Sequence, residues 1–164
     1  MTRTLPLALL LAACSSGTPD HTEEAIADYE AAVEDARTLV ADHAAAVEAA
    51  STLEDVAVLE ASYATDWQAV HDRMRTGMDG MDGCEMDDEG MGMMDDADMS
   101  MGEMDTEVDD HVDAHGTHAD LAECAPEEER HGTVMTEHLD EMIGHGDHWR
   151  DSAQCGDMGG SMEM

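Results

Sequence analysis

The sequence predicts an all-α protein, an up-down four-helix bundle. A long disordered loop rich in Met, Asp and Gly is expected between helices 2 and 3. Three observations lead there. Apolar residues and histidines recur in steps of three and four along four segments. Two of the three connections are short, which favours antiparallel neighbours. The first half is rich in Ala, which propagates helices well. The competing arrangement is two helical hairpins that never pack into one unit.

Residues 19–75 form the first expected hairpin. Helix 1 runs over about 19–50 on the stripe Ile26, Tyr29, Val33, Ala36, Val40, His43, Val47 and Ala50. Thr18 offers a cap, and Pro19 suits the first turn. Ser51-Thr52 breaks the pattern, and Thr52 with Asp55 has the spacing of a capping box. Helix 2 then follows to about Arg75 on Val56, Leu59, Tyr63, Trp67, Val70 and Met74, and Gly77 and Gly80 end it. Residues 76–104 hold nine Met among Asp, Glu and Gly without apolar periodicity, so this segment reads as a disordered low-complexity loop.

Residues 105–153 form the second, His-rich hairpin. Helix 3 is expected from about Glu103 to Glu123 on Val108, His111, His115, His118 and Ala122. Pro126 marks a break. Helix 4 is expected from there to about Ala153 on His131, Met135, His138, Met142, His145 and Trp149. Residues 154–164, with Met158, Met162 and Met164, read as a Met-rich tail.

Charge narrows the function. The 164 residues carry 41 Asp+Glu, 6 Lys+Arg and 10 His, a formal charge of -35. Such a chain repels phosphate, which excludes nucleic acid as a partner and attraction to an anionic lipid surface. Only 16 Leu, Ile and Val occur among the 151 residues from Cys14 onward. That is about 11%, below the roughly 20% under which a highly charged chain is expected to be disordered. The fold therefore needs support beyond an aliphatic core, and a disulfide or a bound metal would supply it.

The N-terminus reads as an export signal. Met1-Thr2-Arg3 is a short positive start, and Leu5 to Ala13 is an apolar run interrupted only by Pro6. The run is far too short to span a bilayer. It ends Leu11-Ala12-Ala13-Cys14, which resembles the lipobox of bacterial lipoproteins. The resemblance implies that residues 1–13 are a signal peptide and that Cys14 is acylated, with 14–18 as a tether. Ser15, where an Asp would retain enteric lipoproteins, implies the outer membrane, facing the periplasm or the cell surface.

The chemistry lies in His and Met. With helix 3 starting near Glu103, four imidazoles share one level above the Cys14 end. His71 stands about 8 Å up, His111 about 10 Å, His145 about 12 Å and His148 about 8 Å. His115 and His118 stand higher, level with Met142 and His138, while His43 and His131 sit near the top. Met74, Met78, Met81, Met91, Met93 and Met94 add thioether sulfur beside the lower cluster. Thioether binds Cu(I) and Ag(I), and imidazole binds Cu and Zn. Thioethers also keep their ligand character in an oxidising compartment. The Met spacing is similar in composition to Met-rich periplasmic copper-handling proteins. Each residue also has a plainer use: His as a polar core residue, Met as packing or spacer, the carboxylates as a solvated surface.

Other chemistries fit poorly. A di-iron carboxylate bundle needs Glu-x-x-His on two helices, and the chain has one, Glu128 to His131. Calcium loops, phosphate-binding Gly loops, nucleophile elbows and zinc-protease motifs are absent. No catalytic constellation is recognisable, so an enzyme is not expected. Among the cysteines, Cys124 and Cys155 flank helix 4 about 40 Å apart, beyond the ~7 Å limit on Cα separation. Cys84 and Cys155 both follow helices at the Cys14 end and are expected to pair. Cys124 is then a thiolate ligand, an intermolecular partner or inert.

The expected function is a lipid-anchored, extracytoplasmic metal-binding protein. Copper, as Cu(I), is the expected metal, with zinc or silver as alternatives, and a metal-transfer protein is the expected partner. The ligands would be His71, His111, His115, His118, His138, His145 and His148 with the six Met above. The alternative is a structural or interaction lipoprotein of the envelope without a physiological metal. A third idea is a bundle that responds to pH through its stacked histidines.

Overall fold

The computed structural model describes residues 21–82, 84 and 86–152. They form α1 (His21–Ala49), α2 (Leu53–Asp79), α3 (Asp88–His115), a 3-10 turn (Leu121–Glu123) and α4 (Cys124–Ser152). No strand occurs among the described residues. The expected signal peptide and tether, with Cys14, Cys155 and the Met-rich tail, lie outside them. Among the described residues no helix is long and apolar enough to cross a membrane.

Each helix packs against the next, and α4 returns to pack against α1. Cross-helix ion pairs give the directions. Asp35 pairs with Arg73, Arg75 with Asp98, Arg37 with Asp140, and Glu30 with Arg150. Early residues of one helix meet late residues of its neighbour throughout, so the order is up-down-up-down. The end carrying the α1–α2 turn is called the top here.

The expected Thr52 cap of α2 is present, with Asp55 bonded to the Thr52 hydroxyl rather than to its backbone amide. The Thr52 hydroxyl accepts a hydrogen bond from the Asp55 amide at 3.1 Å and donates to the Asp55 carboxylate at 2.8 Å. Gly77 does not end the helix as expected. α2 continues to Asp79, and Gly80 caps it. Gly77 is instead where α1 comes close, because a Cβ there would stand 2.8 Å from the Tyr29 backbone.

The largest correction concerns residues 76–104. Most of them are helical, and α3 begins at Asp88 rather than near Glu103. Asp87 caps it, its carboxylate accepting from the Gly90 amide at 2.7 Å. Ala97, Met101, Met104 and Val108 are buried, and Met94 packs against them. These residues, continued by His111 and His115, are a heptad stripe with Met where Leu is usual. Met has high helix propensity and an unbranched side chain that fills irregular gaps. Treating Met as a ligand concealed that stripe.

The core is built accordingly. Met74, Met78, Met81, Met101, Met104, Met135 and Met142 are buried together with Tyr29, Tyr63, Trp67 and Trp149. The aromatic polar groups find partners. The Trp67 indole donates to Asp105 at 2.8 Å, the Trp149 indole to the Gly90 carbonyl at 3.1 Å, and the Tyr29 hydroxyl to the Met142 carbonyl at 3.3 Å. Cys84 is disulfide-bonded. The expected partner, Cys155, lies outside the described residues.

α3 also ends earlier than expected, at His115 rather than Glu123, with Gly116 as its cap. Asp120 then caps the 3-10 turn, its carboxylate accepting from Ala122 at 2.9 Å. α4 starts at Cys124, so His118 lies in a turn and Pro126 falls within the first turn of α4, where its missing amide costs nothing.

Candidate metal centre

The early start of α3 reorganises the histidines. Fifteen extra residues at its base raise His111 by about 22 Å. His111 therefore lies near the top, and the expected cluster of His71, His111, His145 and His148 does not exist. His71 stacks on Trp67 and faces Asp105 at 3.5 Å. His145 packs beside Trp149, and His148 faces Asp87 at 3.4 Å. His138 lies half-buried opposite Glu103 at 3.7 Å. The expected levels of His115 with Met142 and His118 with His138 fail for the same reason.

The expected Met ligands are distributed differently too. Met74, Met78 and Met81 are core residues. Met93 and Met94 pack half-buried against that core, and Met91 is exposed.

What converges instead is one donor from each helix: His43 of α1, Glu60 of α2, His111 of α3 and Glu128 of α4. All four are buried, and their donor atoms lie within 4.8 Å of one another. The level is common because each stands only four to seven residues from the top end of its helix, about 6–10 Å below it.

The separations are those of a coordination sphere. His43 Nε2 lies 3.2 Å from Glu60 Oε1, 3.6 Å from Glu128 Oε1 and 3.3 Å from His111 Nε2. His111 Nε2 lies 3.5 Å from Glu60 Oε2 and 3.3 Å from Glu128 Oε1. A tetrahedron with edges of about 3.4 Å has its corners about 2.1 Å from its centre, the length of a metal–imidazole bond. The contacts above, which use both Glu60 oxygens, average that edge, and with one oxygen per carboxylate the four donors lie within 4.8 Å of one another. His115 Nε2 adds a fifth donor, 3.1 Å from Glu128 Oε1 and 3.8 Å from Glu60 Oε1.

These groups are not otherwise satisfied. Both carboxylate oxygens of Glu60 and Glu128, and both ring nitrogens of His115, make no hydrogen bond among the described residues. Leaving buried polar atoms in that state costs about 1–3 kcal/mol each, and more for charges.

Surrounding residues hold the rings. Tyr63 stacks on His43 with ring centres 4.1 Å apart, and His131 stacks on His111 at 3.9 Å. His131 hydrogen-bonds through Nδ1 to the Glu107 carboxylate at 2.9 Å and through Nε2 to the Tyr63 hydroxyl at 2.8 Å. Glu127 stands 3.6 Å from His111 Nδ1, on the side away from the cluster. Arg130 ties Glu107 and Glu127 together at 2.7 and 2.6 Å. Outer carboxylates of this kind orient imidazole ligands and raise their basicity.

Electrostatics separate the histidines. Burial pulls His111 down, but the neighbouring Glu128, Glu60 and Glu127 outweigh it and hold His111 above the usual imidazole value. Burial raises Glu128, but the adjoining His111, His43 and His115 hold it below the usual carboxylate range. Burial, helped by the charge of His111, pushes His131 down to about 4. His131 is thus neutral near pH 7, a state in which Nδ1 can donate to Glu107 while Nε2 accepts from Tyr63.

Sequence reasoning had named His111 and His115 as ligands and placed His43 and His131 near the top. It missed Glu60, and it set aside Glu128, noted only as the single Glu-x-x-His pattern with His131. A signal existed: Glu60 occupies the inward slot between Val56 and Tyr63, where Leu59 had been assigned. A carboxylate in a core slot is costly unless something pairs with it. The chain matches no protein-family model, no curated protein and no solved structure.

Proposed function

We propose that this protein binds a divalent first-row transition metal inside the top of the bundle, through His43, Glu60, His111 and Glu128, with His115 as a fifth donor. The observation that carries the reading is the convergence of four buried donors, one per helix, at coordination-sphere distances. Two imidazoles and two carboxylates form a borderline-to-hard set. It suits Zn(II) or Cu(II) at the head of the affinity order better than Cu(I), which prefers sulfur. Binding would be coupled to folding, since the four donors meet only when all four helices pack. If Cys14 is acylated as its lipobox-like context implies, the protein would hold this metal outside the cytoplasm, at a membrane surface, for storage or transfer.

The test is metal titration of the full chain, stripped beforehand with a chelator, against a competing chromophoric chelator. Zn(II) and Cu(II) should bind tightly. The His43→Ala/His111→Ala variant should lose one equivalent, or at least about 100-fold in affinity, since even outer residues cost 10–100-fold. Equal stoichiometry and affinity in the two proteins would overturn the reading and leave a structural bundle. Labelled fatty acid incorporated by the wild type but not by Cys14→Ser would support the anchor; equal incorporation would remove it.

A further inference from the structure

The top of the bundle carries a second group of donors: His115, the last residue of α3; His118, in the turn; and Cys124, the first residue of α4. Their donor atoms lie within 4.8 Å of one another. The local sequence brings them together. Gly116 ends α3, the chain reverses, and the Asp120-capped 3-10 turn brings Cys124 to the two imidazoles. Glu123 pins that turn by accepting from the Ala119 amide at 2.6 Å.

Each donor is available. Cys124 is a free, buried thiol. The His115 side chain is 1% exposed, and neither of its ring nitrogens makes a hydrogen bond among the described residues. His118 Nδ1 faces Glu123 at 3.9 Å, while its buried Nε2 is without a hydrogen bond among the described residues. The rings of His115 and His118 lie 4.8 Å apart at a steep angle of 68°, so the pair is not a stack.

We infer that His115, His118 and Cys124 form a second metal site, for a borderline cation of the Zn(II) class, beside the first. One thiolate and two imidazoles are a zinc ligand set with one position left open. Metal–sulfur and metal–nitrogen bonds of about 2.3 and 2.1 Å require donors roughly 3.6 Å apart. From separations within 4.8 Å, side-chain rotations of about an ångström would close the site. A cavity of about 440 Å³ lies between the end of α1 and the start of α4, and its wall includes both Cys124 and Glu128. One cavity therefore borders a residue of each donor group, and a fourth position filled by water or an exchanging ligand would be supplied from it. His115 Nε2 also lies 3.1 Å from Glu128 Oε1 and 3.8 Å from Glu60 Oε1, so the second site would load from the cavity and share His115 with the inner one. The site itself does not require the function proposed above; the sharing does.

Cobalt(II) titration of the full chain, stripped beforehand with a chelator, tests this, because thiolate ligation gives a charge-transfer band in the near ultraviolet. The band should appear in the wild type, vanish in Cys124→Ser, and persist in His43→Ala/Glu60→Gln. Its affinity should fall by at least about 100-fold in His118→Ala, whose side chain lies in a turn outside the helical core. Helical circular dichroism shows that each variant is folded. Absence of the band in the wild type, its persistence in Cys124→Ser, or unchanged affinity in His118→Ala would overturn the site. Loss of the inner site alone would remove cobalt binding sensitive to His43 while keeping the thiolate band, so the two failures are distinguishable.

Discussion

The inner centre should be a burden to the metal-free protein, and replacing it should stabilise the bundle. The perturbation is His43→Leu, Glu60→Met, His111→Leu and Glu128→Met together, which roughly conserves volume. The side chains removed are between 0% and 10% exposed, and no hydrogen bond satisfies the four carboxylate oxygens among the described residues. Exchanging a buried ionic cluster for packed apolar residues is worth about 1–4 kcal/mol of stability. For a domain of this size that is a rise of about 3–12 °C in Tm. Metal should compensate the wild type alone. At a free concentration near 1,000 times Kd it adds about 4 kcal/mol. Thermal melts followed by circular dichroism, both proteins carrying Cys124→Ser to remove the second site, provide the assay. In chelator the variant should melt higher, and with excess Zn(II) the gap should close or reverse. A variant that melts lower than the wild type in chelator would refute the reasoning, because the cluster would then be a stabilising ion-pair network.

Three further outcomes are expected. His131 has a folded pKa of about 4 against about 6.5 unfolded, so its neutral form supports the fold. That contribution is complete above about pH 6.5 and is lost as pH falls toward 4, by about 3 kcal/mol at most. Denaturant titrations of metal-free protein across that window should show His131→Gln losing less stability than the wild type; parallel losses would contradict the assignment. Met104→Ala should cost about 2–5 kcal/mol, as for a buried side chain, whereas Met91→Ala, at 53% exposure, should stay within about 0.5 kcal/mol. Equal, negligible effects by chemical denaturation would mean that this Met-rich stretch does not pack. Gly77→Ala places a methyl 2.8 Å from the Tyr29 backbone, and a loss of about 1–3 kcal/mol in the same assay is expected; an unchanged midpoint would show that α1 and α2 separate easily.

The helical class, the apolar stripes of α1 and α2, and the Thr52 cap were legible because they depend on local spacing. An apolar stripe in steps of three and four identifies a helix wherever Val, Ala, Tyr and Trp supply it. The same rule failed at residues 88–104 because Met serves equally as core and as ligand, and spacing alone does not say which. That single misreading moved the base of α3 by about 22 Å and dispersed the predicted histidine cluster.

The sequence by itself therefore determined that this is an acidic, four-helix chain in which His intrudes on the core stripes. Periodicity is a property of each helix separately, so one strand of text suffices for it. Only the tertiary structure decided which intruders meet. His43, Glu60, His111 and Glu128 come from four helices and span 86 positions of the chain. Their meeting depends on the register between helices, set by where each begins and by how large and small side chains interlock. A shift of one heptad in any helix, about 10 Å, would separate them.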